Sequence, residues 1–246
     1  MLRLDQSLVD RGLCESREKA KRAILAGQVR VNDQVARKPS DSVQESDRLA
    51  LDAPEKFVSR GGFKLEHALD HFKLNVTDQT AIDLGVSTGG FTDCLLQRGA
   101  VKIYAVDVGR GQLAWKLRRD KRVVVMEKTN ARELTPAKMP SPFVPVDVAV
   151  IDCSFISLRK IIPAAVALLK ASGKIVALIK PQFEAGKKEV DKGEGVIRDT
   201  EIHQRVLREL QEFIEARELK WRGVTESPLV GPAGNKEFLT LIEKRG

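Results

Sequence analysis

The sequence predicts an α/β protein, a doubly wound parallel sheet preceded by a small α+β module. Three observations carry that expectation. From Thr80 onward, short apolar runs of strand length alternate with helical stretches, the pattern of successive βαβ units. Those runs are apolar almost throughout, as strands covered by helices on both faces must be. The first fifty residues read differently, with two short helices followed by period-two runs and tight turns.

In chain order, Leu4 to Val9 is helical and Gly12 ends it, and Ser16 caps a second helix running to Ala26 before Gly27. Val29, Val31 and Val35 alternate around Asn32-Asp33, a hairpin turn, and Leu49 with Leu51 offers a further short strand. The expected division is a module over residues 1–52, a linker over 53–58 and a larger domain over 59–246. Gly61 to Phe72 makes a helix ahead of the first sheet strand. Ala81-Ile82, Val101 to Val106, Val123 to Met126, Val146 to Ile151 and Ile175 to Ile179 are strand-like. Ile202 to Ala216 reads as a late helix, and Lys220 to Thr225 with Glu237 to Ile242 as a terminal hairpin. Phe183 to Arg198 is long, polar and glycine-containing, and is expected to be a mobile functional loop.

Composition removes several classes. With 246 residues, 42% hydrophobic and 31% charged, the chain can bury a core and is neither disordered nor fibrous. Its net charge of +8 favours an anionic partner. The longest apolar run, Ile161 to Leu169, is far short of the roughly 18 residues of a membrane span. The N-terminus mixes Arg3, Asp5 and Asp10 with no apolar signal segment. A cytoplasmic protein, away from membranes, is expected. Cys14, Cys94 and Cys153 are odd in number and scattered, so they read as reduced core residues. His67 and His71 share a helix face at i,i+4 but lack a third ligand, and no metal is expected.

The first strand of the larger domain runs into Asp83-Leu84-Gly85-Val86-Ser87-Thr88-Gly89-Gly90-Phe91. Glycines there let the backbone bend and approach a ligand, and the following helix start offers free amide donors. No Gly-Lys-Ser/Thr follows, so a phosphate loop is disfavoured. An acid at the strand end suits a cationic amine. Asp107, ending the next strand, stands where such folds bind ribose hydroxyls. An ammonium, a sulfonium and a ribose meet in S-adenosylmethionine. A helix-capping role for Asp83 with turn-closing glycines competes for the loop by itself, and a nicotinamide-dependent oxidoreductase competes for the pair of acids.

The motifs Val58-Ser59-Arg60-Gly61-Gly62-Phe63-Lys64-Leu65, Ser87-Thr88-Gly89-Gly90-Phe91-Thr92-Asp93, Asp107-Val108-Gly109, Gly111-Gln112-Leu113, Thr129-Asn130-Ala131-Arg132, Asp152-Cys153-Ser154-Phe155-Ile156-Ser157-Leu158, Lys180-Pro181-Gln182-Phe183-Glu184-Ala185-Gly186 and Gly234-Asn235-Lys236-Glu237-Phe238 closely resemble the TlyA (hemolysin A) family. Val86, usually Ala there, and Lys236, often Val, are minor departures. The resemblance covers essentially the whole chain. It implies a ribosomal RNA 2′-O-ribose methyltransferase with an N-terminal S4 RNA-binding domain and an FtsJ-like, Rossmann-like class I catalytic domain. It also implies a catalytic set of Lys64, Asp152, Lys180 and Glu237. The cofactor set it implies is Asp83, Gly85, Ser87, Thr88, Gly89, Gly90, Phe91, Asp107, Val108, Asn130 and Asp152, holding S-adenosyl-L-methionine.

The residues themselves support part of this. Asp152 and Lys180 each end an apolar strand, at the sheet edge where open α/β folds bind ligands. A ribose hydroxyl is a poor nucleophile, so a base must remove its proton as it attacks the methyl group. A lysine serves only if it loses its own proton, which burial and a second ammonium favour. Lys180 is read as that base, Lys64 as the neighbouring cation, and Asp152 and Glu237 as the acids orienting both amines.

In the N-terminal module Arg3-Leu4-Asp5, Leu8, Gly12, Ser16-Arg17, Ala20, Ile24, Gly27, Val29 and Val31-Asn32 match the S4 pattern. Residues 1–40 hold nine Lys and Arg against five Asp and Glu, half the net charge in about a sixth of the chain. Arg3, Arg17, Lys21, Arg22, Arg30 and Asn32 are the expected RNA contacts. Few aromatics stand among them, so phosphate and shape recognition is expected over base stacking. The partner is ribosomal RNA or a ribosomal subunit. The chain opens at the S4 motif and closes just past the last strand, resembling the family's shorter members, so a cytidine of large-subunit RNA and a monomeric enzyme are expected. A non-catalytic assembly factor and a membrane-active hemolysin are the rival functions.

Overall fold

The computed structural model describes residues 2–52 and 56–245, which fall into two units dividing between Lys56 and Phe57. The first contains β1 (Leu2–Arg3), α1 (Leu4–Asp10), α2 (Arg17–Leu25), β2 (Val29–Val31), β3 (Gln34–Val35), β4 (Ser42–Val43) and β5 (Leu49–Leu51). Ser16 caps α2 by accepting from the Lys19 amide at 3.3 Å, and Leu4, Leu8, Ala20, Ile24 and Val29 close the core between helices and sheet. β3, β2 and β5 form one antiparallel sheet, joined at the hairpin by Asn32 and Asp33 with φ of 50° and 66°. Asn and Asp tolerate that left-handed backbone because their side chains bond locally. β1 pairs with β4, a ladder of two residues on each side that the sequence reading lacks.

The second unit contains α3 (Gly61–His71), β6 (Thr80–Leu84), α4 (Gly90–Gln97), β7 (Lys102–Val106), α5 (Trp115–Arg118), β8 (Val123–Met126), β9 (Val146–Ile151), α6 (Leu158–Leu168), β10 (Leu169–Ile179), α7 (Pro181–Glu184), α8 (Lys187–Lys192), α9 (Thr200–Glu215), β11 (Lys220–Glu226) and β12 (Phe238–Glu243). Its sheet runs β11-β12-β10-β9-β6-β7-β8, with all strands in one direction except β12, which runs antiparallel to both of its neighbours. The pleat sends alternate residues to opposite faces. Ile82, Tyr104, Ala149 and Ala177 pack under α6 and α9, while Ala81, Ile103, Val150 and Val176 pack under α3 and α4. The order of strands reverses between β6 and β9, and the crevice beyond their carboxyl ends is where such sheets bind ligands.

Four expectations need correction. Phe57, expected in the linker, is buried in the second unit, while the Asp52 amide bonds Gln28 and its carboxylate Arg30 within the first; residues 53–55 of the expected linker lie outside those described. β10 starts six residues early, because an irregular, bulged stretch around Ser172 (φ 59°) continues the strand. The expected loop from Phe183 to Arg198 contains the end of α7 and all of α8. It is tied down by Glu184, which accepts from Ser157 Oγ at 2.6 Å and the Leu158 amide at 2.7 Å, and by buried Asn235, which accepts from the Ile197 amide and donates to the Gly195 carbonyl, both at 2.9 Å. Of the cysteines only Cys94 is a core residue; Cys14 and Cys153 are partly exposed.

Candidate active site

Six acidic or basic side chains converge on the crevice, five of them from positions at or beside strand ends. Asp83 is in β6, Asp107 follows β7, Asp152 follows β9 and Lys180 follows β10. Glu237 immediately precedes β12, whose antiparallel register sets Phe238 opposite Ile179, so Glu237 arrives beside Lys180 from the other chain direction. Lys64 comes from α3, on the buried side that also carries Leu65, Ala68 and Leu69.

A cavity of about 290 Å³ is lined by Lys64, Asp83, Gly85, Ser87, Thr88, Gly90, Phe91, Asp152, Lys180 and Glu237 among others. The four residues of the expected catalytic set are therefore together. The two acids divide between the two amines. Lys64 Nζ bonds Glu237, whose side chain is 1% exposed. Lys180 Nζ lies 2.6 Å from Asp152 Oδ1, in an ion pair outside hydrogen-bonding angles, and donates to Ser154 Oγ at 2.9 Å. Each ammonium thus has its own carboxylate. Ser154, absent from the expected set, is legible only once Asp152 and Lys180 are known to meet.

An adjoining cavity of about 390 Å³ shares Gly85, Ser87, Asp152 and Ser154 with the first. Asp107, Val108, Asn130, Cys153, Phe155 and Ile156 complete much of its wall. Asp107 accepts from the Ser87 amide at 2.8 Å and the Gly109 amide at 2.7 Å, so one carboxylate ties the glycine loop to the next strand. Asn130 accepts from the Arg132 amide at 3.1 Å. Burial of the Cys153 thiol pushes it up to about 12, which keeps it an unreactive wall.

The glycine loop bends through Gly85 (φ 90°) and Gly89 (φ 98°). A Cβ on Gly85 would lie 2.6 Å from the Asp152 carbonyl oxygen, so only glycine lets β6 and β9 approach. Gly89 lines neither cavity; a Cβ there would strike Leu117 at 2.3 Å, which makes it a packing position.

Asp83 is fully buried. Its Oδ2 accepts from Thr92 Oγ1 at 2.7 Å, while Oδ1, on a residue of the cavity wall, has no partner. Burial pushes this carboxyl up to about 7, against the pull of the Thr92 hydroxyl and with help from Asp152 and Asp107. Because the folded value exceeds the unfolded one near 3.9, the unliganded fold loses stability as pH rises from about 4 to about 7. A buried carboxylate with an open oxygen fits a ligand ammonium, the same chemistry the sequence reading assigned to it.

In the first unit the expected contacts are largely committed internally. Arg3 and Arg17 both reach buried Asp5 at 3.1 Å, and together they hold its carboxyl down at about 2, chiefly through Arg3. Lys21 pairs with Glu18 at 2.9 Å and Arg30 with Asp52 at 2.9 Å. Asn32 donates to Asp47 at 2.8 Å and accepts from the Arg48 amide at 2.9 Å, so its carboxamide holds the hairpin. Arg22 is exposed with no ion pair among the described residues. Arginines half exposed beside an acid retain donors for phosphate.

Residues 57–244 match the FtsJ-like methyltransferase family and residues 2–49 the S4 domain. The chain belongs to the FtsJ-like methyltransferase family. Among similar proteins, the 16S/23S rRNA (cytidine-2′-O)-methyltransferase TlyA of Mycobacterium tuberculosis is 46% identical, over 98% of this chain and 89% of that protein. Hemolysin A of Brachyspira hyodysenteriae is 42% identical, over 97% and 98%. A solved structure of a hemolysin-named protein from Streptococcus thermophilus is 44% identical, covers 99% of this chain and 88% of its own, and superposes with a TM-score of 0.75. Family membership disposes of the oxidoreductase reading. No helix among the described residues is long and apolar enough to cross a membrane.

Proposed function

We propose that this FtsJ-like enzyme transfers a methyl group from S-adenosyl-L-methionine to the 2′-hydroxyl of a cytidine ribose in ribosomal RNA, with the S4 unit over residues 1–52 contributing to RNA binding. The observation that carries the reading is the single cavity that joins the Lys180–Asp152 pair, the Lys64–Glu237 pair and the open oxygen of Asp83. S-adenosylmethionine, when bound, supplies an electrophilic methyl group on a sulfonium.

Asp83 holds the ammonium through its open oxygen, and Asp107, braced by two amides, takes the ribose hydroxyls with its remaining lone pairs. Val108, Cys153, Phe155 and Ile156 offer apolar wall to the nucleobase. Lys180, fixed between Asp152 and Ser154, takes the proton of the attacking hydroxyl. The buried Lys64–Glu237 pair sets an ammonium on the wall of the same cavity, where it can face the reacting oxygen.

The test is methyl transfer from labelled donor to ribosomal subunits of both sizes, prepared from cells lacking the enzyme, followed by nucleoside digestion. Label in 2′-O-methylcytidine is expected; label only in methylated bases refutes the reading.

A pH dependence follows from Asp83. Only its carboxylate holds an ammonium, so donor affinity should rise as pH increases from about 5 to about 7 and then level off. Calorimetric titration should show that rise in the native enzyme and a weak, flat profile in Asp83→Asn. Equal pH profiles would remove Asp83 from the binding site.

A further inference from the structure

Between Trp115 and Arg122 stand five cations and one acid, and the site described above uses none of them. Three are neutralised. Lys116 pairs with Asp93 at 2.9 Å, Arg118 with Glu127, and Arg122 with Asp120 at 2.8 Å. Arg119 and Lys121 are exposed and make no ion pair among the described residues, and the same is true of Arg110. Glu127 accepts from the Gly111 amide at 2.6 Å as well as from Arg118, which brings Arg110 alongside α5.

Trp115 is 69% exposed, and the Arg119 guanidinium sits 5.9 Å from its ring centre. Their orientation is set by their neighbours. Leu117 is buried against Gly89, where even a methyl group would not fit, so α5 turns Trp115 and Arg119 to solvent. The Ala114 amide donates to the Thr88 carbonyl at 3.1 Å, fastening this segment to the loop that lines the reaction cavity. An indole in water contributes little to the fold. An indole face beside unpaired cations offers a stacking platform for a base and counter-charge for its phosphates.

We propose that Trp115 and Arg119, with Arg110 and Lys121, form an RNA-contact surface on the methyltransferase unit that stacks an unpaired nucleotide near the target. It rests on the RNA substrate proposed above, and it departs from the expectation that contacts lie in the S4 unit and avoid stacking. Charge complementarity selects the occupant: three exposed cations outside ion pairs, one of them over an aromatic, fit a polyanion with exposed π-faces better than a second copy of a chain that is itself at +8.

Trp221→Phe leaves Trp115 as the one tryptophan of the chain, so its fluorescence reports directly. Titration with single-stranded oligocytidylate and with a large-subunit RNA transcript should quench it. Trp115→Ala should weaken binding of both by about tenfold or more, with donor binding unchanged and Trp115→Phe retaining part of the affinity. Arg110→Ala and Lys121→Ala should each lower the slope of log affinity against log salt by about one. Absence of quenching together with unchanged affinity overturns the proposal, as does quenching that grows with protein concentration alone. An enzyme that methylates no RNA defeats the functional reading; one that methylates RNA equally with Trp115→Ala defeats this surface only.

Discussion

Lys180→Arg should bind methyl donor and RNA with near-native affinity and yet transfer methyl about 10²- to 10⁴-fold more slowly, as Lys180→Ala should. Arginine keeps the cation facing Asp152 and Ser154 but does not release its proton, so it serves as counter-charge and not as base. Single-turnover transfer at saturating RNA and donor separates the two roles. A near-native rate for Lys180→Arg would mean that charge is what position 180 supplies, and the base would have to be sought elsewhere in the cavity.

Removing the carboxylate of Glu237 should have the largest effect on stability. Glu237→Ala leaves the Lys64 ammonium, 10% exposed, without its counter-charge, and breaking such a pair costs about 3–5 kcal/mol. For a chain of this size the melting temperature should fall on the order of 10 °C by calorimetry. Glu237→Gln keeps an acceptor and should lose less. The double replacement Lys64→Met with Glu237→Leu fills the same space without charge and should recover much of the stability, because exchanging a whole buried pair for apolar side chains is often close to neutral. Activity should stay lost. If the double variant regains turnover, the pair is structural, and the mechanism must do without it.

The parts of the site legible in the sequence are those set by local pattern. Asp83, Asp107, Asp152 and Lys180 each lie at the end of an apolar run, and an apolar run in an alternating α/β chain implies a strand whose end opens on the crevice. Partner choice was not legible. Lys64 and Glu237 are 173 residues apart, and only the antiparallel return of β12 against β10 brings them together. A polar stretch such as Phe183 to Arg198 looks like a free loop because its anchors, Asn235 and Glu184, bond to its backbone and to α6 and leave no periodicity behind. The same limit applies to Asn32, whose carboxamide is spent on the hairpin, and to Trp115, whose exposure depends on Leu117 packing against a glycine. β1 and β4 pair over two residues, below the length at which alternation has meaning.

The most direct measurement of the central claim is a map of ribose methylation in ribosomal RNA from cells carrying the gene, lacking it, or carrying the Lys180→Arg variant. A 2′-O-methylated cytidine should be present in the first and absent from the other two. A map that is identical in all three would contradict ribose methylation of ribosomal RNA as this enzyme's activity.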